Sequence, residues 1–190
     1  MLEAFSKYWD ILGIEPDPKA REIAEEKGLS DFVFESAESV LSKGITVDVV
    51  TLFHVIEHFY QPTLELEKIQ SLLKPGGLLI IETPNSNDAL LVLYENEAFQ
   101  NFNYWSHHPM LHSKNSLNAV ISRNSFRVLQ NQGIQRYDLN NHLYWLSKGA
   151  PNGHNIWRNM LSADTIDRYA RDLIEQGNSD TLWMIAQKID

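Results

Sequence analysis

Two apolar runs, each closed by polar residues, constrain this chain more than anything else in it. Asp48-Val49-Val50-Thr51-Leu52-Phe53 runs into His54-Val55-Ile56-Glu57-His58, and about 20 residues later Leu78-Leu79-Ile80-Ile81-Glu82 stops at Thr83-Pro84-Asn85. Between them lies an amphipathic stretch over 62–73, ended by Lys74-Pro75-Gly76-Gly77. A continuous apolar strand with a helix before it reads as a parallel strand buried on both faces. Ligands of such sheets bind beyond the carboxyl ends of the strands. His54, Glu57, His58, Thr83 and Asn85, just past two strand ends, therefore mark a candidate site.

The rest of the first two thirds alternates in the same way. Residues 2–8 read as a short helix and Ile11-Leu12-Gly13-Ile14 as a buried strand ending at Glu15. Asp17 caps a helix with Pro18 at its first position and Gly28 past its end. A short strand over 32–34, a weak helix over 37–42 and a strand over 47–53 follow. Repeated βα winding predicts an α/β, Rossmann-like, three-layer fold with a mostly parallel sheet. After Asn85 the pattern loosens. A helix near 87–94, a helix capped by Ser113 through about 123, and a strand over 126–130 precede a polar, partly helical insertion over 134–178. The last strand is expected at 181–187. The whole chain reads as one domain, with a core over 1–133, the insertion over 134–178 and the last strand within 179–190.

Bulk properties exclude several partners. The formal charge is −9 and no basic run appears, whereas phosphate backbones demand clustered Lys and Arg, so nucleic acid is an unsuitable partner. The longest apolar runs, 78–81 and 89–93, are too short to span a bilayer. With no cysteine, disulfides and thiolate metal sites are excluded. The acidic opening Met1-Leu2-Glu3 lacks the pattern of a signal peptide, and a cytoplasmic location is expected.

The ordered set GIEPDPKAREIAEEKG, DVVTLFHVIEH and LLKPGGLLIIETPN resembles class I S-adenosylmethionine-dependent methyltransferases, in particular the small-molecule type similar to ubiquinone-biosynthesis O-methyltransferases. The likeness covers roughly 1–133. The tail segments NHLYWLSKGAPNGH and DTLW look like a subgroup associated with sugars or polysaccharide precursors. The resemblance implies S-adenosylmethionine as cofactor and assigns Glu15 to its ribose hydroxyls, Ser36 and Ala37 to its adenine, and Phe53 and His54 to the floor beneath it. Each has a plain structural alternative: Glu15 as a strand-end carboxylate, Ser36 as a helix N-cap, Phe53 as core.

The family's glycine-rich loop after a first strand has no counterpart here. Only 14 residues precede Glu15, and Gly13 is the sole glycine among them. The expectation is a fold without its first strand, a truncated or late-started version of a longer enzyme that binds the cofactor poorly or not at all. The neighbours of that strand would be left with unpaired backbone groups.

His54-x-x-Glu57-His58 also matches a zinc-peptidase spacing, but that chemistry needs a continuous helix, and here the motif follows a strand. No metal is assigned. A weaker alternative, after methyltransferases that hold Mg²⁺ with E-x-x-E-H, joins Glu57 and His58 to one of His107, His108 or His112. The preferred role is proton transfer: His58, with His107 or His108, takes the proton of an O–H acceptor, since imidazole titrates in the useful range. Tyr104, Trp105, Tyr144 and Trp145 either stack on the acceptor or pack the cap on the sheet. The expected reaction moves a methyl group to a small molecule or sugar intermediate, at oxygen, with a homodimer left open. The alternative is a catalytically silent remnant acting as a binding or interaction module.

Overall fold

The computed structural model describes residues 7–104 and 108–189. Among the described residues six strands fall into two sheets. β1 (Gly13–Ile14) pairs in parallel with β2 (Val33–Phe34), while β3 (Val47–Phe53), β4 (Leu73–Pro84), β5 (Phe126–Ile134) and β6 (Thr181–Lys188) form a sheet in the order β3-β4-β6-β5. β3 and β4 run parallel; β6 is antiparallel to both β4 and β5. The sheet is thus mixed, with its parallel pair at the end that carries the site.

The helices follow local signals. Asp17 caps α1 (Pro18–Glu26) by accepting from Lys19 N, and Ser36 caps α2 (Ala37–Ser42) in a reciprocal box with Ser39. Ser113 does the same with Ser116 for the helix Lys114–Arg123. α3 (Pro62–Leu72) passes directly into β4, its last carbonyls capped from across the sheet by Lys188 Nζ, 2.9 Å from Gln70 O and 2.8 Å from Leu73 O. Lys74-Pro75-Gly76-Gly77 lies inside β4 as a shift in pairing with β3, not as a turn before it. Gly77 is required there, since a Cβ would stand 3.1 Å from Asp48 O and 3.0 Å from Lys74 O.

The core lies on one face of the main sheet. Leu52, Leu79, Ile81, Leu182, Met184 and Ala186 pack with Leu66 and Ile69 of α3, and with Leu117 and Ile121 of the Ser113-capped helix. The opposite face is less covered. Leu78, Ile80, Glu82, Trp183 and Ile185 are only half-buried, so the expectation of β4 buried on both sides holds for one side alone.

The N-terminal expectations need a second correction. The buried strand expected at 11–14 is a two-residue pairing with Ile14 exposed, because its only partner is the equally short β2. Residues 2–6 of the expected first helix lie outside the described residues. Among the described residues β3 pairs with β4 alone, and its other edge stays open, with Val49 exposed.

Helices make up most of the remainder, including the expected insertion over 134–178. α4 (Ala89–Val92) and α5 (Glu97–Asn103) precede α6 (Lys114–Arg123); α7 (Leu139–Lys148), α8 (Gly153–Ile156) and α9 (Ala163–Gln176) separate β5 from β6. No helix of the described residues is long and apolar enough to cross a membrane. Trp145, nearly fully buried, packs on Phe99 and Phe102 at centroid distances of 5.1 and 5.4 Å, and Tyr144 packs on Trp157. These two aromatics hold the cap together.

Candidate functional site

β3 delivers its last residue, Phe53, and then turns sharply. His54 has φ of 55°, a left-handed conformation rare outside glycine, and its N–H donates to Glu82 O at 2.8 Å. The turn is completed by a single 3₁₀ segment, Ile56–His58. Ile56 is fully buried and anchors it, so Glu57 points inward and His58 outward. The continuous helix that a zinc-peptidase motif needs is absent at this point of the described chain.

Glu57 is fully buried. Thr83 Oγ1, at the end of β4, donates to its Oε2 at 3.0 Å, and His54 Nδ1 lies 3.3 Å from its Oε1, an ion-pair distance without hydrogen-bond alignment. Burial alone would raise the Glu57 pKa, but His54, backbone N–H and Thr83 outweigh it and hold the carboxyl below its ordinary value. The Glu57 carboxylate likewise raises the His54 pKa against burial and Arg136. Arg136, past the end of β5, reaches over β6 to Glu82 Oε1 at 2.7 Å and contacts His54 Nε2. An arginine can donate only to an unprotonated ring nitrogen. The same Nε2 lies 3.2 Å from Glu82 Oε1, so the ring sits between Arg136 and Glu82 on one side and Glu57 on the other.

Residues 108–112 pack against this turn. Met110 N approaches Glu57 O at 3.4 Å, and His112 forms a one-residue bridge with Asn85, its carbonyl accepting from Ser86 N at 2.9 Å. His112 is buried and its pKa lowered by burial, partly offset by Glu57. The rings of His58 and His108 lie 5.0 Å apart. Two expected proton-transfer residues, His58 and His108, thus meet at the carboxyl end of the parallel pair; His107 lies outside the described residues. Glu82 and Arg136 escaped the sequence reading.

The residues expected around a nucleoside are placed differently. Glu15 sits at the end of β1; its Oε1 accepts from Asp17 N at 3.0 Å, and its carbonyl accepts from Arg21. Ser36 Oγ accepts from Ser39 N, the plain N-cap arrangement, and Ala37 is the first residue of α2. Phe53 stacks on Trp183 at 5.8 Å, with planes 23° apart. His54 joins the acidic cluster. Among the described residues no hydrogen bond ties Glu15, Ser36 or Ala37 to the turn at 54–58.

A family profile described as "Methyltransferase domain" matches residues 1–131. The chain belongs to this family. A ubiquinone biosynthesis O-methyltransferase from Cereibacter sphaeroides is 37% identical over 83 residues, 41% of this chain and 34% of that protein. The chain spans about a third of the length of the curated relatives it matches. A SAM-dependent methyltransferase from Archaeoglobus fulgidus superposes with a TM-score of 0.51 at 21% identity, covering 98% of this chain and 91% of that one. The YcgJ protein of Bacillus subtilis gives 0.56 at 20% identity over 99% and 86%. At such identities the likeness shows the fold alone, and it confirms the Rossmann-like class expected from the element order.

S-adenosylmethionine is the cofactor of this methyltransferase family, and the residues present fit it only in part. Glu15 spends Oε1 on Asp17 N, and a carboxylate of this kind can still accept O–H donors on its other oxygen. The Ser36 hydroxyl is engaged as a cap. Among the described residues no glycine-lined turn faces the open edge of β3 to approach the methionine half. A step through the cofactor therefore has no footing in these residues alone.

Proposed function

We propose that this methyltransferase domain serves S-adenosylmethionine-dependent methyl transfer to a hydroxyl oxygen of a small molecule. The observation that carries the reading is the position of Glu57, His58 and His108, gathered beyond the carboxyl ends of β3 and β4. In-line displacement at a sulfonium carbon asks mainly for alignment of the acceptor, and an O–H acceptor must also lose its proton. His58, exposed, with His108 beside it, is placed to take that proton, and buried Glu57 with Thr83 holds the turn that presents it. His107, two residues of sequence from Pro109, is the third histidine assigned to this role. A phenolic acceptor is the first class to try, since matching relatives are named for ubiquinone biosynthesis; a hydroxyl of a sugar intermediate is the second. Glu15 is assigned to the ribose, with Ser36, Ala37, Phe53 and His54 along the rest of the cofactor, and a homodimer as the assembly.

A second reading, a silent remnant that binds partners without catalysis, is favoured by the capped Ser36 and by the open edge of β3. Donor binding separates the two. Under the enzyme reading, calorimetry with S-adenosylhomocysteine, followed by tritium-methyl transfer to phenolic and sugar-nucleotide acceptors, gives binding that Glu15→Ala weakens about tenfold or more; under the remnant reading it gives none. Absence of binding by the folded chain would overturn the enzyme reading.

A further inference from the structure

A buried carboxyl group fixes the loop that follows β5. Asp180, directly before β6, accepts from Arg136 N at 3.1 and 3.0 Å, from Tyr137 N at 2.8 Å and from Gln135 Nε2 at 3.0 Å. Its own N–H donates to Gln135 Oε1 at 3.1 Å. Burying a carboxyl group is costly unless hydrogen bonds meet it. Here those bonds hold the backbone of Arg136 and Tyr137, two residues whose side chains stay exposed. A fixed backbone under exposed polar side chains is what a binding site needs, because less ordering is left for the ligand to bring about.

What these side chains leave unused defines the ligand. Arg136 uses only Nη1, toward Glu82 and His54. Among the described residues its Nε–H and its Nη2 group meet no partner, and together they form one edge of the guanidinium fork. Such an edge takes a carboxylate through two parallel hydrogen bonds. The Tyr137 ring stands 5.9 Å from the Arg136 guanidinium carbon and packs on His154 at a centroid distance of 5.3 Å. His154 is itself held at both ring nitrogens, by Asn141 Oδ1 at 3.4 Å and Asn155 Nδ2 at 3.0 Å, and so supports the ring. A phosphate dianion suits the place less well than a carboxylate. Glu82 already lies on Nη1, Glu57 stands beyond His54, and the chain carries a net charge of −9.

We propose that Arg136 and Tyr137 form a recognition subsite for a carboxylate-bearing acceptor, with the guanidinium edge on the carboxylate and the Tyr137 ring along the acceptor's body. Arg136 contacts His54, whose ring meets Glu57 on the turn that carries His58, so the subsite adjoins the place of transfer. The role as acceptor rests on the function proposed above; carboxylate binding does not.

Calorimetry on the purified chain with 4-hydroxybenzoate, phenol and phenyl phosphate tests it. 4-Hydroxybenzoate should bind about tenfold or more tighter than phenol, and tighter than phenyl phosphate. Arg136→Gln should weaken its binding about tenfold or more, and Arg136→Lys should not restore it, since an ammonium lacks the fork. Glu82→Gln, which removes a competing carboxylate from Nη1, should tighten binding about two- to fivefold, a gain that a purely structural arginine would not give. No binding of 4-hydroxybenzoate by the folded chain, a preference for phenol or phenyl phosphate, or equal affinity in Arg136→Gln overturns the proposal. Selective binding without methyl transfer from added S-adenosylmethionine upholds the subsite and overturns the enzyme reading. Transfer to phenol and 4-hydroxybenzoate alike, unaffected by Arg136→Gln, does the reverse.

Discussion

Thr83 Oγ1 and Glu57 Oε2 meet at 3.0 Å with both side chains fully buried, linking the end of β4 to the turn that follows β3. The contact fixes the acidic corner of the site from the sheet itself. Thr83→Val keeps the shape and removes the donor, leaving a buried carboxylate oxygen unmet. A loss of about 1–3 kcal/mol in urea unfolding is expected, together with a rise in the Glu57 pKa, because one of the groups holding it down is gone. An unchanged midpoint would mean that solvent reaches Glu57 in the native state.

His54 combines a left-handed backbone with a side chain shared among Glu57, Glu82 and Arg136. Alanine at this position loses the side-chain contacts and keeps the strain; glycine loses them and relieves it. His54→Gly should therefore unfold at higher denaturant than His54→Ala, by about 1 kcal/mol. Equal stabilities would show that the turn relaxes once the ring is removed. In either variant Arg136 keeps Glu82 at 2.7 Å, so the end of β5 should stay ordered.

The division between what was legible and what was not follows from range. β3, α2 and the caps at Asp17, Ser36 and Ser113 rest on signals within a few residues, and the sequence reading places them where the structure has them. The polar turn at 54–58 is legible for the same reason: a buried strand that stops at His-x-x-Glu-His must present those side chains somewhere. Arg136 on Glu82 and Lys188 on the end of α3 depend on β6 returning antiparallel between β4 and β5. No local periodicity encodes that return. Ile11-Leu12 misled in the opposite direction, since apolar residues suggest a strand but only a partner strand can complete one, and β2 supplies two residues. Trp145 stayed open between two roles because an aromatic in a polar segment suits a ligand and a cap equally until Phe99 and Phe102 are seen against it.

Gly153 opens α8 directly against α7. A Cβ there would stand 2.3 Å from the Cβ of Tyr144 and 2.6 Å from Asn140 O, both on a packed helix that cannot give way cheaply. Gly153→Ala should push the two helices apart at a cost of about 1–3 kcal/mol. Loss of the Gly153 N–H contact with Asn141 Oδ1 should show as faster amide exchange over residues 140–157.

Asp88 caps α4 by accepting from Leu90 N at 2.7 Å, and burial, with Asp180 nearby, pushes its pKa up to about 7 against the pull of that N–H. The folded chain therefore holds a proton that the unfolded chain releases near 3.8, and stability falls as pH rises through the window from about 4 to 7. Asp88→Asn keeps the capping oxygen and has no proton to lose, so it is free of this dependence. Burial draws the His142 pKa down to about 4 and gives the opposite slope below 6.5, but that term is common to both proteins and cancels in their difference. Urea unfolding at pH 5, 6, 7 and 8 should show the variant gaining on the wild type at each step, by about 2–3 kcal/mol across the series. Parallel pH profiles would mean that Asp88 ionises in the folded chain as freely as it does in water.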